Sequence, residues 1–276
     1  MKTYLMADQT RVQRMTTEEL RQTFLFDKLF VPSQITLAYL DVDRTVIGSA
    51  IPTGDPLPLG TYDPLRSTFF AERRELGILN VGGRGTVSAG GKKYDMANLD
   101  CLYIGRGTRD ITFASAEAKS PAQYYIVSYP AHQTFPTVQA RKAEAAAVPL
   151  GSQATSNQRT IYKYIHPAGI PSCQLVMGFT ALAAGSAWNS IPPHTHMRRS
   201  EVYMYFDMPP EARVFHFMGE PQQTRHLVIA DRQIVVSPPW SIHCGAGTAG
   251  YTFCWAMGGE NQVFDDMDVV PVAALL

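Results

Sequence analysis

Glycine and proline break this chain into short apolar segments, and that punctuation constrains the fold more than any other feature. The 276 residues include 21 Gly and 19 Pro, so few stretches can run on as helix. Between the breaks lie runs rich in β-branched and aromatic residues: 76–81, 102–104, 111–113, 124–129, 202–206, 214–218, 234–236 and 251–257. Such runs read as strands. No long helical pattern separates them, which argues for an antiparallel sandwich or barrel over a βαβ sheet. One early helix is well signalled: Thr16 and Glu19 have capping-box spacing, and Leu20, Phe24 and Leu25 supply an apolar stripe. An Ala-rich stretch over 140–147, with Arg141, Lys142 and Glu144, predicts a second, short helix.

Pro149, Gly151 and the polar run 152–157 then read as a connection, placing a boundary near residue 150. The expected domains are 1–150 and 151–276. The two sides look like distant copies. Glu72-Arg73-Arg74-Glu75 precedes one strand as Arg198-Arg199-Ser200-Glu201 precedes another, and Asp100 and Asp231 follow at comparable corners.

Lys plus Arg equals Asp plus Glu at 24 each. A balanced chain lacks the clustered positive charge that drives phosphate binding, which excludes nucleic acid as the main partner. No apolar run approaches the ~20 residues that span a bilayer. The N-terminus, with Lys2, Asp8, Arg11 and Arg14, lacks the apolar core of a secretory signal. The cysteines (Cys101, Cys173, Cys244, Cys254) form no CxxC pair and read as thiols in a reducing compartment. The expectation is a cytoplasmic protein without membrane partners.

The segment Pro192-Pro193-His194-Thr195-His196-Met197-Arg198-Arg199-Ser200-Glu201 stands out. Residues two apart on a strand share a face, so His194 and His196 present adjacent imidazoles. Glu201 falls at an odd offset from His196. A turn or bulge around residues 198–200 would restore it to that face, with Tyr203 and Tyr205 following. A further imidazole, His243, follows the rigid corner Pro238-Pro239-Trp240. Three neutral nitrogens and one carboxylate suit Zn, Fe, Mn, Ni or Co as the divalent ion. Of the other histidines, His216 and His226 are the candidates to line a pocket, while His132 and His166 belong to no pattern.

These positions resemble the cupin metal site, with its HxH-gap-Glu motif and a later Pro-preceded His. Thr68 and Phe70 fall where the first half would need its two histidines, so the N-terminal barrel is expected to be metal-free and structural. The resemblance extends over nearly the whole chain to the 5-keto-4-deoxyuronate isomerase family. It is carried by Glu72-Arg73-Arg74-Glu75-Leu76-Gly77, Leu102-Tyr103-Ile104-Gly105, Trp240-Ser241-Ile242-His243 and the closing Gly259-Glu260-Asn261-Gln262-Val263-Phe264-Asp265-Asp266-Met267-Asp268. It implies an all-β bicupin: two tandem cupin-type antiparallel barrels with a few short helices. It further implies a hexameric assembly and one zinc per subunit on His194, His196, Glu201 and His243. The implied reaction converts 5-dehydro-4-deoxy-D-glucuronate to 3-deoxy-D-glycero-2,5-hexodiulosonate, zinc-assisted through an enediolate, in pectin and uronate breakdown.

That reaction needs a group to move a proton between two carbons, and Tyr203 and then His226 are the candidates. It also needs a cation for the substrate carboxylate, for which Arg198, Arg199, Arg225 and Arg74 are available. Four protein ligands exceed the three plus water usual for catalytic zinc, so the metal must expand its coordination or release a ligand, Glu201 first. Two other functions fit the same donors: an Fe(II)-dependent cupin dioxygenase, and a non-enzymatic sugar-binding cupin in which the metal fixes the ligand.

Overall fold

The computed structural model describes residues 1–263 and 265–276. Phe264, in the closing acidic run, lies outside the described residues. The chain is mostly β with a few short helices, and no described helix is long and apolar enough to cross a membrane. It divides into two compact units. The first comprises 1–4, 28–146 and 163–177, and the second 5–27, 147–162 and 178–276. The single cut expected at residue 150 falls near the change at 146/147, but two short segments are exchanged around it.

The first unit carries a seven-stranded sheet ordered Lys2–Tyr4, Ile35–Leu40, Val46–Ala50, Tyr124–Pro130, Arg74–Asn80, Cys101–Ile104, Val138–Ala140. A four-stranded sheet accompanies it: Leu57–Pro58, Thr112–Ser115, Gly85–Ala89, Lys92–Met96. Apart from the parallel Lys2–Tyr4, the pairings are antiparallel. Leu59, Phe70, Leu76, Ile78, Ile111 and Phe113 belong to its core. Phe70 thus sits in hydrocarbon. On the opposite face of Arg74–Asn80, the buried Glu75 carboxylate accepts four hydrogen bonds. They come from the Tyr103 hydroxyl (2.7 Å) and the backbone N–H groups of Cys173 (2.7 Å), Gln174 (2.8 Å) and Leu175 (2.8 Å).

The sheets carried mainly by the second unit repeat this plan. The larger is ordered Ala146–Leu150, Arg159–Ile165, Val176–Leu182, Thr252–Gly259, Arg199–Phe206, Gln233–Ser237, Leu25–Phe26. The smaller runs Gln223–Ile229, Val214–Glu220, His243–Gly247, Trp188–Thr195, Asp268–Val269. Arg199–Phe206 lies between Thr252–Gly259 and Gln233–Ser237 as Arg74–Asn80 lies between Tyr124–Pro130 and Cys101–Ile104. Glu201 pairs with Ser237, the last residue of its strand, as Leu76 pairs with Ile104, the last of its own. By strand register Leu76 stands where Glu201 stands. The repeat seen in sequence is therefore a repeat of topology, with a hydrocarbon in place of a carboxylate.

The expected early helix is Thr17–Phe24. Thr16 and Glu19 exchange both capping bonds, and Leu20 and Phe24 are buried. The expected helix over 140–147 is not formed. Lys142–Glu144 makes one 3-10 turn between Val138–Ala140 and Ala146–Leu150, both strands. Alanine favours helix, but so short a segment gains too few hydrogen bonds to offset nucleation, and Pro149 forbids its extension. Ala146–Leu150 instead forms the edge of the larger sheet, with every residue exposed.

Candidate metal centre

The centre is assembled where strand register brings three segments together. Trp188–Thr195 runs antiparallel to His243–Gly247, with His194 directly opposite His243. The chain turns at Met197 and Arg198 before resuming as Arg199–Phe206. That turn absorbs the odd offset between His196 and Glu201; it begins one residue before the 198–200 expected from sequence, and residues 199 and 200 are already strand. Glu201, Tyr203 and Tyr205 then alternate onto one face of their strand.

The four side chains each offer a donor atom within 4.8 Å of all the others, and they are the one such group found among the described residues. His196, Glu201 and His243 are buried and His194 nearly so. Glu201 Oε2 lies 3.0 Å from His196 Nε2 and 2.9 Å from His243 Nε2. His194 and His243 bring their Nε2 atoms to 3.1 Å. Four donors at ~2.1 Å from one ion stand about 3.4 Å apart, so only small adjustments separate the cluster from a coordination shell.

The tautomers argue for the same occupant. His196 Nδ1 donates to the Arg199 carbonyl at 2.8 Å, leaving Nε2 with a lone pair facing the Glu201 carboxylate. Two imidazole nitrogens 3.1 Å apart likewise face each other. Contacts this short between nitrogens and a carboxylate call for a proton or a metal ion between them, and the donor set fits a divalent metal ion. The electrostatics agree. Burial lowers the pKa of His194 to about 3, with the neighbouring His243 adding to the effect, so its nitrogen is free to ligate. Burial alone would raise Glu201, but His243 and His196 outweigh it and keep the carboxylate ionised.

A cavity of about 280 Å³ opens on His194 and Glu201. Its walls include Tyr203, Phe253, Trp255 and Met257, from the inward face of two paired strands. Trp255 donates from Nε1 to Thr180 Oγ1 at 3.1 Å. Its ring has room because residue 178 is glycine: a Cβ there would stand 2.5 Å from Trp255 Cζ2 and 2.3 Å from the Tyr162 carbonyl oxygen. Tyr203 lines the same cavity, its hydroxyl 3.0 Å from Ser190 Oγ. Burial, reinforced by the Glu201 charge, pushes its pKa well above the ordinary phenol value. Tyr203 therefore holds its proton at neutral pH and has it available to donate.

The remaining sequence candidates fall elsewhere. His226 is exposed against Phe215, with ring centroids 6.0 Å apart, and does not line the cavity. Its strand alternation turns it to the outer face, which removes it as a proton carrier. His216 is fully buried, its Nδ1 2.8 Å from the Tyr205 hydroxyl. Arg74 belongs to the first unit and donates to Ser128 and the Arg44 carbonyl. Arg225 donates to the Val12 and Met15 carbonyls. Arg198 pairs with Asp266 and Asp268, so part of the closing acidic run is an internal ion-pair partner. Arg199 is buried, with Nη1 donating to Asn261 Oδ1 (2.7 Å) and the Val263 carbonyl (2.6 Å). None of these four arginines lines the cavity. The cation that does is Arg159, which sequence reasoning passed over because no motif surrounds it.

Residues 39–272 match the KduI/IolB family. The chain belongs to that family. KduI/IolB relatives include a 4-deoxy-L-threo-5-hexosulose-uronate ketol-isomerase of Halalkalibacterium halodurans, 53% identical over 264 residues and covering 96% of each chain. Another of the same name, from Opitutus terrae, is 50% identical over 276 residues and covers 100% of both. Among solved structures, an IolB-like protein of Salmonella typhimurium LT2 superposes with a TM-score of 0.74 at 14% identity, over 90% of this chain and 96% of that one. Tomato vicilin gives 0.53 at 10% identity, over 79% and 75%. The last two speak to the KduI/IolB fold alone.

Proposed function

We propose that this chain is a ketol-isomerase converting 5-dehydro-4-deoxy-D-glucuronate to 3-deoxy-D-glycero-2,5-hexodiulosonate, with one zinc ion held by His194, His196, Glu201 and His243. The observation that carries the reading is the convergence of these four donors at the wall of a cavity, in a chain half identical to ketol-isomerases over its full length.

The reaction is an isomerisation, so every atom is conserved. A proton leaves the hydroxyl-bearing carbon next to the aldehyde and returns at the aldehyde carbon, while the hydroxyl proton passes between the two oxygens. The ion would supply Lewis acidity, polarising a carbonyl oxygen. The chain supplies the rest. Tyr203, kept protonated by burial, donates to a substrate oxygen where negative charge develops. The apolar walls exclude water, which would otherwise compete for the moving proton.

Zinc is favoured over the other divalent ions by a closed His₃Glu set at short separations. Four thiols without a disulfide among the described residues suit the cytoplasm. Association as a homo-oligomer, a hexamer in this reading, is supported by exposed large hydrophobic residues that all lie in the second unit, among them Leu150, Met197, Val263 and Val269. The first unit, with Leu76 at the carboxylate position, serves a structural role.

The decisive experiment is turnover of the unsaturated uronate released by pectin lyase digestion, measured before chelation, after chelation, and after adding zinc back. Activity without a redox cofactor, lost and restored in step with zinc, is expected. Stoichiometric iron with oxygen uptake would establish an oxygenase instead. Binding of the sugar acid without conversion would reduce the protein to a carrier.

A further inference from the structure

A six-carbon sugar acid carries its carboxylate at the end opposite the aldehyde, so a cavity that binds it needs two different recognition points. The metal centre supplies one. The other must meet a negative charge inside a wall of Leu150, Ile161, Phe253, Trp255 and Met257, where an unpaired carboxylate would be expensive to bury.

Among the described residues lining the cavity, Arg159 is the one Arg or Lys. It opens the strand Arg159–Ile165, and strand alternation places it and Ile161 on the same, cavity-lining face. Its guanidinium is partly committed: Nη1 donates to the Asn157 carbonyl at 2.8 Å, which orients the group. Its other N–H donors have no hydrogen-bond or ion-pair partner among the described residues. The four arginines read from sequence are each occupied by carbonyls, an amide or carboxylates elsewhere. An oriented arginine with free donors facing a cavity is the arrangement that receives a carboxylate in a forked pair.

We infer that Arg159 binds the carboxylate of the sugar acid and so fixes which end of the substrate reaches His194 and Glu201. This rests on the isomerase reading for the identity of the substrate, but the preference for an acid over a neutral sugar does not depend on turnover. Glu201 already places a negative charge beside the cavity. An anionic ligand is therefore favoured there only with Arg159 and the metal both present. Lysine would keep the charge and lose the fork, giving an intermediate effect.

The test uses the metal-loaded full chain as wild type, R159K and R159Q, with metal content measured in each. Loss of a forked, charge-assisted pair corresponds to about a 10- to 100-fold effect. R159Q should raise KM by that factor, change kcat less, and retain one metal per chain, with R159K in between. In a separate arm, calorimetry compares D-glucuronate with D-glucose. Wild type should prefer the acid, and R159Q should lose that preference. An unchanged KM in R159Q, or equal preference for the acid in wild type and R159Q, would overturn the assignment. If wild type turns over no uronate, the proposed reaction fails, and the calorimetric arm alone decides Arg159: absent or unaltered glucuronate binding rejects it, and a loss confined to the variants sustains it.

Discussion

Replacing Glu75 tests whether a buried carboxylate holds the first unit together. Its two oxygens accept the Tyr103 hydroxyl and the three successive N–H groups of residues 173–175, all at 2.7 to 2.8 Å. In Glu75→Gln the amide oxygen can still accept from Gln174 and Leu175. The amide NH₂ then faces the Cys173 N–H, donor against donor, while the Tyr103 hydroxyl can rotate to accept. One bond becomes a clash and three weaken from charged to neutral. Each hydrogen bond to a charged group contributes about 1.5–3 kcal/mol and each neutral one about 1. Removing the charge also relieves its burial cost. The net expectation is about 2–3 kcal/mol for Gln, and about 3–5 kcal/mol for Ala, which leaves all four donors unmet. At about 2–4 °C per kcal/mol for a chain of this size, Gln should lower the melting temperature by roughly 5–10 °C. Tyr103→Phe, which removes one bond, should cost about 1 kcal/mol. Scanning calorimetry with urea unfolding gives the numbers. A Glu75→Gln melting point within about 1 °C of wild type, or an Ala variant no worse than Gln, would refute the reasoning.

His243→Ala should abolish metal retention and turnover while leaving the far-ultraviolet dichroism intact, checked by elemental analysis of the purified protein; activity in the metal-free variant would remove the centre from the mechanism. Gly178→Val should force Trp255 off the cavity wall, changing its fluorescence, raising KM, and costing about 1–3 kcal/mol in unfolding experiments as overpacking does. A thiol reagent should label the half-buried Cys173 in the native protein and reach the other three only after unfolding. Burial protects Cys101 and Cys254 and pushes the Cys244 thiol up to about 12. Mass spectrometry of partly labelled protein reads that order directly, and rapid labelling of all four would contradict the packing.

The strands and the cluster of candidate metal donors were legible because each rests on local pattern. Alternation identified the 202–206 strand and the pairing of His194 with His196, and the offset of Glu201 called for a turn that the chain makes at Met197 and Arg198. The early helix was equally local, fixed by Thr16 and Glu19. The failures share a different cause. The Ala-rich stretch has helix-favouring composition, but Pro149 and the sheet edge it joins decide its form. Arg159 and Trp255 line the cavity because strands distant in sequence converge there, and nothing within a few residues of either announces that. The exchange of 5–27 and 163–177 between units is also non-local, set by pairings such as that of Leu25–Phe26 with Gln233–Ser237.

The bare strand at the margin of the larger sheet carries a hazard and its remedy together. Ala146–Leu150 offers a neighbouring chain an apolar template of unmet main-chain groups, the kind of border along which β proteins coalesce into insoluble ladders. Pro149 has no amide hydrogen to offer, so a foreign strand docking there finds the row interrupted. Substituting Thr at that position would complete the row, and the consequence would emerge as precipitate during concentration or storage rather than as any change in chemistry.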